Sequence, residues 1–319
     1  MAKAAPAPRP ENFQFILYAK KGWVARVTIN RPEVYNAYNT PCLAEMHAAF
    51  RDAAWDDSIA VVVLTGAGRD AFCTGGDVKE YAEIYTRKPR DYWKYMSLFQ
   101  ECHDALRNIG KPTIARLNGM VVGGGNEFNL ACDLAVAADH VVIRQVGTRV
   151  GSVAAGGATQ WLPIVIGDRR AREMLFLCEE VPASKALEWG LVNQVVPYDQ
   201  LDGAVDALAQ KLIDKFPECT RYTKTQVNFW KDFAWHATIG HARDWLALHF
   251  ASLEPLEGMK AFVEKRKPRY RELRQKAASG GSSEFLWGPY TRTCPKCAAK
   301  GLPEDFKFCG ECGAPLDKT

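Results

Sequence analysis

The chain has 319 residues, 47% of them hydrophobic and 24% charged, with a formal net charge of +4. This is the balance of a globular protein with ample core, not of a disordered or fibrous chain. No run of about 18 apolar residues occurs, so no membrane span is expected. The small net charge gives no reason to expect a chain-wide affinity for nucleic acid.

In chain order, residues 1–12 begin MAKAAPAPRP, lack the apolar stretch of a secretory signal, and read as a flexible arm. Phe13–Ala19 and Trp23–Ile29 are β-prone runs split by Lys20-Lys21-Gly22, a hairpin signal. Leu43–Trp55 has helical spacing, and Ile59–Thr65 (IAVVVLT) is a continuous apolar run typical of a sheet buried on both faces. Tyr92–Ile109 reads as a helix, Pro112–Leu117 as a strand and Gly119–Gly125 as a glycine-rich turn. A helix opening at Glu127–Ala131 and a strand at Leu134–Ala137 follow. Helices are expected at Ala171–Cys178, Ser184–Trp189, Asp199–Phe216 and Gly258–Lys276, the last interrupted at Pro268, and a strand at Leu191–Val196. Strands alternating with helices predict an α/β fold with crossover connections. The expected division is a main domain over 13–276, a Gly/Ser-containing linker over 277–293 and a small module over 294–319.

Six of the ten cysteines are scattered, as expected for reduced thiols packed as small core residues. The other four form Cys294-Pro-Lys-Cys297 and Cys309-Gly-Glu-Cys312. Two such knuckles offer four thiolates to a tetrahedral Zn²⁺. Gly310 and Gly313 allow the tight turns this needs. So short a module cannot bury an adequate core, so the metal would supply the folding energy. Four protein ligands leave no open position, so this zinc ribbon is read as structural. Its use would then be contact with a neighbouring subunit or another protein, since too few Lys and Arg flank it for a nucleic-acid footprint. Cysteine usage of both kinds points to the cytoplasm.

Gly66-Ala67-Gly68-Arg69-Asp70-Ala71 matches the dinucleotide-binding pattern, but it runs into Phe72-Cys73-Thr74-Gly75-Gly76-Asp77, too glycine-rich to open a helix, which argues against a nicotinamide enzyme. Thr74-Gly75-Gly76-Asp77 and Gly123-Gly124-Gly125-Asn126-Glu127 each follow an expected strand. Two backbone amides from such loops can form an oxyanion hole, with Glu127 beside them as a general base. Taken singly, either cluster is an ordinary turn.

These segments, with Asn30-Arg31-Pro32, Asn36-Ala37, Asn118-Gly119, Ala131-Cys132-Asp133, Gly156-Gly157-Ala158-Thr159, Gly190-Leu191-Val192 and Glu264-Lys265-Arg266-Lys267-Pro268, resemble the crotonase (enoyl-CoA hydratase/isomerase) superfamily from about Phe13 to Tyr270. The resemblance implies a ββα superhelix with C-terminal helices, an acyl-CoA thioester substrate and an enolate held by the amides of Gly76 and Gly124. It implies a CoA-binding set of Arg31, Asn36, Ala37, Thr74 and Lys265, and a homotrimer or dimer of trimers. In such an assembly Lys260, Lys265, Arg266, Lys267 and Arg269 would meet the CoA phosphates of a neighbour.

Typical hydratases carry two glutamates. The first matches Glu127, but Gly147 stands where the second is expected. In this the chain is similar to 1,4-dihydroxy-2-naphthoyl-CoA synthases and to ring hydrolases of the 6-oxocyclohex-1-ene-1-carbonyl-CoA type. The synthases lack a glutamate at the Glu127 position, which favours hydrolytic C–C ring opening of an alicyclic β-oxoacyl-CoA. Gln160 departs from the acid expected there, and those hydrolases have no zinc tail. Tyr81 and Tyr85 are candidates to orient water or substrate, or to pack on the acyl pocket wall, and Ser152 is a candidate substrate contact. Hydration or isomerisation, naphthoate-type ring closure and a zinc-ribbon scaffold remain as alternative readings.

Overall fold

The structure is a computed structural model and describes residues 8–281, 284, 286–288 and 290–316. Most of the expected arm and part of the Gly/Ser half of the linker therefore lie outside the described residues.

The main body is built from β1 (Ile16–Lys21), β2 (Val24–Ile29), β3 (Val61–Gly66), β4 (Ala71–Cys73), β5 (Thr113–Leu117), β6 (Met120–Val122), β7 (Leu134–Ala138), β8 (Val142–Arg144), β9 (Val181–Pro182) and β10 (Gln194–Val196). A six-stranded sheet runs β1-β2-β3-β5-β7-β10 and a four-stranded sheet β4-β6-β8-β9. β1 and β2 form the expected antiparallel hairpin, and the rest of the larger sheet is parallel. Every residue of β3 is buried, as its unbroken apolar run requires of a strand covered on both faces. The chain alternates between the sheets, β3 then β4, β5 then β6, β7 then β8. Each turn of the spiral thus ends in a loop on the smaller sheet.

The helix Thr40–Trp55 starts on Asn39, whose Oδ1 accepts from the Cys42 amide at 3.0 Å. It packs against the helix Pro89–Arg107 over a core that includes Phe50, Met46, Cys102 and Leu106. Glu45 on the first helix accepts from the amides of Gln14, Phe15 and Ile16, tying the sheet edge down. Among the described residues no helix is long and apolar enough to cross a membrane.

Several boundaries differ from those read in the sequence. Met120–Val122 is a strand inside the expected glycine turn, and the strand expected over Leu191–Val196 is confined to Gln194–Val196. Pro268 does separate two helices, but they are Leu253–Val263 and Tyr270–Ala278. Three of the longer helices had no sequence signal: Ala158–Ile166, Pro217–Val227 and Phe229–His249. The first contains Pro163. The last carries large apolar groups on every side, with Trp235 and Ile239 buried while Trp230, Phe233 and Leu248 are exposed, so no single-faced period shows. Of the scattered cysteines Cys219 is exposed, not packed in the core.

The segment between β3 and β4 is clamped by two buried asparagines. Asn118 Oδ1 accepts from Gly66 N and Thr65 Oγ1, and its Nδ2 donates to the carbonyls of Gly68 and Ala71. Asn36 Nδ2 donates to the carbonyls of Ala67 and Ala71, and its Oδ1 accepts from the Arg31 amide. Asn118→Ala leaves these buried partners unpaired and is expected to destabilise the fold by about 2–4 kcal/mol. Urea unfolding followed by circular dichroism checks this, and an unchanged midpoint would show that the clamp is dispensable.

Candidate active site

The loop after β4 places Gly76, and the loop after β6 places Gly124. Gly75 (φ 91°) and Gly123 (φ 54°) precede them, both in the left-handed region that bulkier residues avoid. Each turns the chain so that the next amide leaves the sheet. Tyr38 pairs with the first loop on both sides of Gly76, its amide donating to Gly75 O and its carbonyl accepting from Asp77 N, both at 2.9 Å. Gly124 opens the helix Gly124–Ala131, where a first-turn amide has no intrahelical acceptor. Among the described residues neither the Gly76 nor the Gly124 amide has an acceptor. A Cβ on Gly75 would lie 3.1 Å from the Gly124 nitrogen, so the two loops are neighbours.

Both glycines line a cavity of about 790 Å³, with Tyr38, Tyr81, Phe99, Glu127, Gly147 and Ser152 also in its wall. Glu127 lies on the same helix one turn after Gly124. Its Oε1 accepts from Gly156 N at 2.7 Å and Ala158 N at 3.3 Å. Burial raises its carboxyl from the ordinary 4.5 to about 7, against the two amides, which lower it. Other carboxylates of the wall differ: Glu33 is exposed, and Asp77 is held at 3.0 Å by Arg31. Glu127 is therefore the one fully enclosed acid among the described lining residues. Gly147 faces the cavity, and a side chain there would press on the backbone of residues 152–154.

The other residues singled out in the sequence divide. Ala37, Thr74, Tyr81 and Ser152 line the cavity with the two glycines and Glu127. Tyr85 does not; its hydroxyl is hydrogen-bonded to Thr40 Oγ1 at 2.6 Å behind the wall. Asn36 is the buried clamp described above, and Arg31 spends its guanidinium on Asp77 and the Ala37 carbonyl, so neither faces the cavity. Gln160 is engaged with Thr159 and Thr238 and is not a lining residue. In the basic stretch, Arg266 pairs with Glu257 and Glu264, Arg269 with Glu257 and Glu272, and Lys260 with Glu264. Lys265 and Lys267 have no carboxylate partner among the described residues, and Lys265 lies outside the cavity wall of this chain.

Apart from Tyr81, sequence reasoning missed the aromatic wall. Tyr38, Tyr92 and Tyr95 line the cavity with Tyr81 and Phe99. The Tyr81 and Tyr95 hydroxyls share a 2.5 Å hydrogen bond. The turn Tyr81–Tyr85 is wound as a single π turn, which sets Tyr81 toward Gly76. The i, i+3 spacing of Tyr92 and Tyr95 on a helix was a legible signal, whereas Tyr38 had none.

The four C-terminal cysteines lie together, with every Sγ within 4.8 Å of the others. Cys294 and Cys312, and Cys297 and Cys309, are 3.7 Å apart. A tetrahedron with Zn–S bonds of about 2.3 Å has edges of about 3.8 Å, so the four residues fit a thiolate-bound zinc ion. The strands β11 (Arg292–Thr293) and β12 (Lys300–Leu302) frame the first knuckle. Gly313 takes the left-handed turn after the second knuckle (φ 69°), and Ala298, not a glycine, takes it after the first (φ 60°). Gly310, read from sequence as a second turn glycine, does not adopt that conformation.

Because Glu127 binds its proton more tightly in the fold than in the unfolded chain, stability is lost as pH rises from about 4.5 through 7, by about 3 kcal/mol in all. Glu127→Gln removes this loss. Its stability relative to the parent is expected to rise between pH 5 and pH 8, measured by parallel denaturant titrations. A constant difference would mean that Glu127 is not desolvated.

The sequence profile described as Enoyl-CoA hydratase/isomerase matches residues 19–274. The chain is 34% identical to 6-oxocyclohex-1-ene-1-carbonyl-CoA hydrolase of Geobacter metallireducens, covering 80% of this chain and 81% of that protein. The same enzyme of Thauera aromatica is 34% identical, covering 80% and 82%. An enoyl-CoA hydratase structure from Mycobacterium avium subsp. paratuberculosis K-10 superposes with a TM-score of 0.73 at 26% identity, over 80% of this chain and 98% of that one. The spiral of two sheets, the two free loop amides and these likenesses agree: the chain belongs to the enoyl-CoA hydratase/isomerase family of acyl-CoA enzymes.

Proposed function

We propose that the protein opens an alicyclic β-oxoacyl-CoA ring by hydrolysis. The observation that carries this reading is the pairing of two acceptor-free amides with a single enclosed carboxylic acid and no second acid at Gly147. The names of the two 34%-identical relatives support it. The thioester oxygen sits between the Gly76 and Gly124 amides. Glu127 takes a proton from water as its oxygen bonds to the ring ketone carbon. The bond between that carbon and the α-carbon then breaks. Its electrons enter the thioester as an enolate, stabilised by the two amides and the positive end of the Gly124–Ala131 helix. Glu127 returns the proton to the α-carbon, leaving a carboxylic acid at the former ketone. A ring with a double bond at the α-carbon first takes up one water there, so that this carbon can leave as an enolate. Tyr81 and Ser152 position the acyl group.

We further assign Ala37 and Thr74 to the CoA-binding wall. Lys265 is assigned to the CoA phosphates of a neighbouring subunit, which its unpaired charge supports. The exposed Trp230, Phe233 and Leu248 support assembly into a trimer or paired trimers. The Cys294, Cys297, Cys309 and Cys312 module would hold one structural Zn²⁺ in a C-terminal domain after the linker, open to a subunit or protein contact.

Incubation with 2-oxocyclohexane-1-carbonyl-CoA should give the open-chain heptanedioyl-CoA, identified by mass spectrometry with fragmentation. A product that retains the ring would overturn the reading. Gly76→Pro, which deletes one amide donor, should lower kcat by about 10²–10³-fold, and near-normal turnover in the folded variant would remove Gly76 from the hole. With Glu127 as the base, kcat/KM should rise with pH around an apparent pKa near 7. A flat profile from pH 5 to 9 would exclude it. No described lining residue follows Phe262. Truncation after Gly280 should therefore abolish bound zinc, measured by elemental analysis, and leave turnover within about tenfold. Loss of all turnover in an assembled, CoA-binding truncation would make the ribbon part of the site.

A further inference from the structure

Tyr38 has two faces toward the site. Its backbone brackets Gly76, and its side chain crosses to the other loop: a Cβ on Gly124 would fall on the Tyr38 hydroxyl. The ring is held from both sides, stacked on Phe99 (centroids 5.8 Å apart) and edge-on to Phe128 (5.5 Å). Only 2% of the residue is exposed. Among the described residues its hydroxyl has neither donor nor acceptor, although it lines the cavity. An enclosed hydroxyl without a partner is destabilising unless something in the cavity meets it. Burial, with Tyr81 and Glu127 nearby, keeps this phenol protonated and thus a donor.

The counterpart at the other amide is already engaged. The Tyr81 hydroxyl stands against Gly76 but shares its hydrogen bond with Tyr95. The Tyr38 hydroxyl, by contrast, stands unpartnered on the Gly124 side, the side from which Glu127 projects. A simple acyl chain has one oxygen, and the two amides satisfy it. A β-oxo group places a second oxygen two carbons further on, next to the base that must deliver water.

We propose that the Tyr38 hydroxyl donates a hydrogen bond to the ring ketone oxygen and selects β-oxoacyl thioesters over their deoxy analogues. This rests on the ring-opening reading for its chemistry but not for its binding test. As the water oxygen bonds to the ketone carbon, the C=O π pair moves onto the ketone oxygen and Glu127 takes the water proton. Tyr38 strengthens its bond to that oxygen without giving up its own proton. When the C–C bond breaks, the pair on this oxygen re-forms the carbonyl of the new carboxylic acid.

The test compares Kd by calorimetry for 2-oxocyclohexane-1-carbonyl-CoA and cyclohexane-1-carbonyl-CoA in a Glu127→Gln background, where nothing turns over. The oxo thioester should bind tenfold to a hundredfold more tightly, as expected for a donor left unpaired by the wrong ligand. Adding Tyr38→Phe, which keeps the ring between Phe99 and Phe128, should erase that preference and leave deoxy binding unchanged. A preference that persists in the double variant overturns the proposal, and so does equal binding of the two thioesters before Tyr38 is changed. Should the phenylalanine variant not fold, Tyr38→Leu takes its place. With Glu127 restored, Tyr38→Phe should lower kcat/KM on the oxo thioester by tenfold or more. If the parent protein leaves the ring closed while the Tyr38-dependent preference holds, the ring-opening reading fails and this one stands.

Discussion

Two peptide N–H groups must remain without an acceptor in an interior where nearly every other amide finds one. That requirement organises the molecule. A loop free to relax would close its amide onto the nearest carbonyl, so each loop is held from outside. Gly76 is held by backbone pairing with Tyr38 and by the Arg31–Asp77 ion pair one residue on. Gly124 is held because Gly123 donates to Arg144 of β8 and the helix begins immediately after. The asparagine clamps fix the segment that leads into β4. The alternating two-sheet spiral brings the ends of β4 and β6 side by side, which one sheet with loops at its far edge would not do.

Glu127 obeys the complementary constraint. A carboxyl placed three residues after Gly124 must enter the apolar cavity, and among the described residues it meets two amides but no cation within hydrogen-bond reach. Two hydrogen bonds do not offset the full loss of water. The group is consequently near half-protonated at neutral pH, where a base can also return its proton. The amide donors come from the turn before the helix Ala158–Ile166 and from its first residue, a third segment of chain. The site thus requires three separate loops to be rigid at once.

Much of this was legible in sequence because it depends on the main chain. Glycine runs after apolar strands announce amides that approach a ligand, Cys-x-x-Cys pairs announce thiolates, and the β3 run announces a doubly covered strand. What stayed hidden depends on side chains from distant segments meeting. Asn36 and Arg31 sit within motifs of the resemblance, yet their partners are loop carbonyls and Asp77, so motif membership did not separate ligand contact from scaffold. Tyr38 follows Asn36-Ala37 with nothing to distinguish it from a core aromatic; only the fold reveals that its hydroxyl reaches the second loop. The helix Phe229–His249 escaped because large apolar side chains stand on its exposed faces as well as its buried one, which blurs the single-faced period.

The desolvated carboxyl also has an evolutionary consequence. Glu127 is desolvated in its ionised form where a neutral amide isostere would not be, so on the proposed base role the substitution that disables the base is the one expected to strengthen the fold at neutral pH. Selection for expression or heat resistance alone would drift toward glutamine there, and only selection on turnover opposes it. A lineage freed from its substrate should lose this glutamate early while keeping the asparagine clamps, whose loss weakens the fold outright.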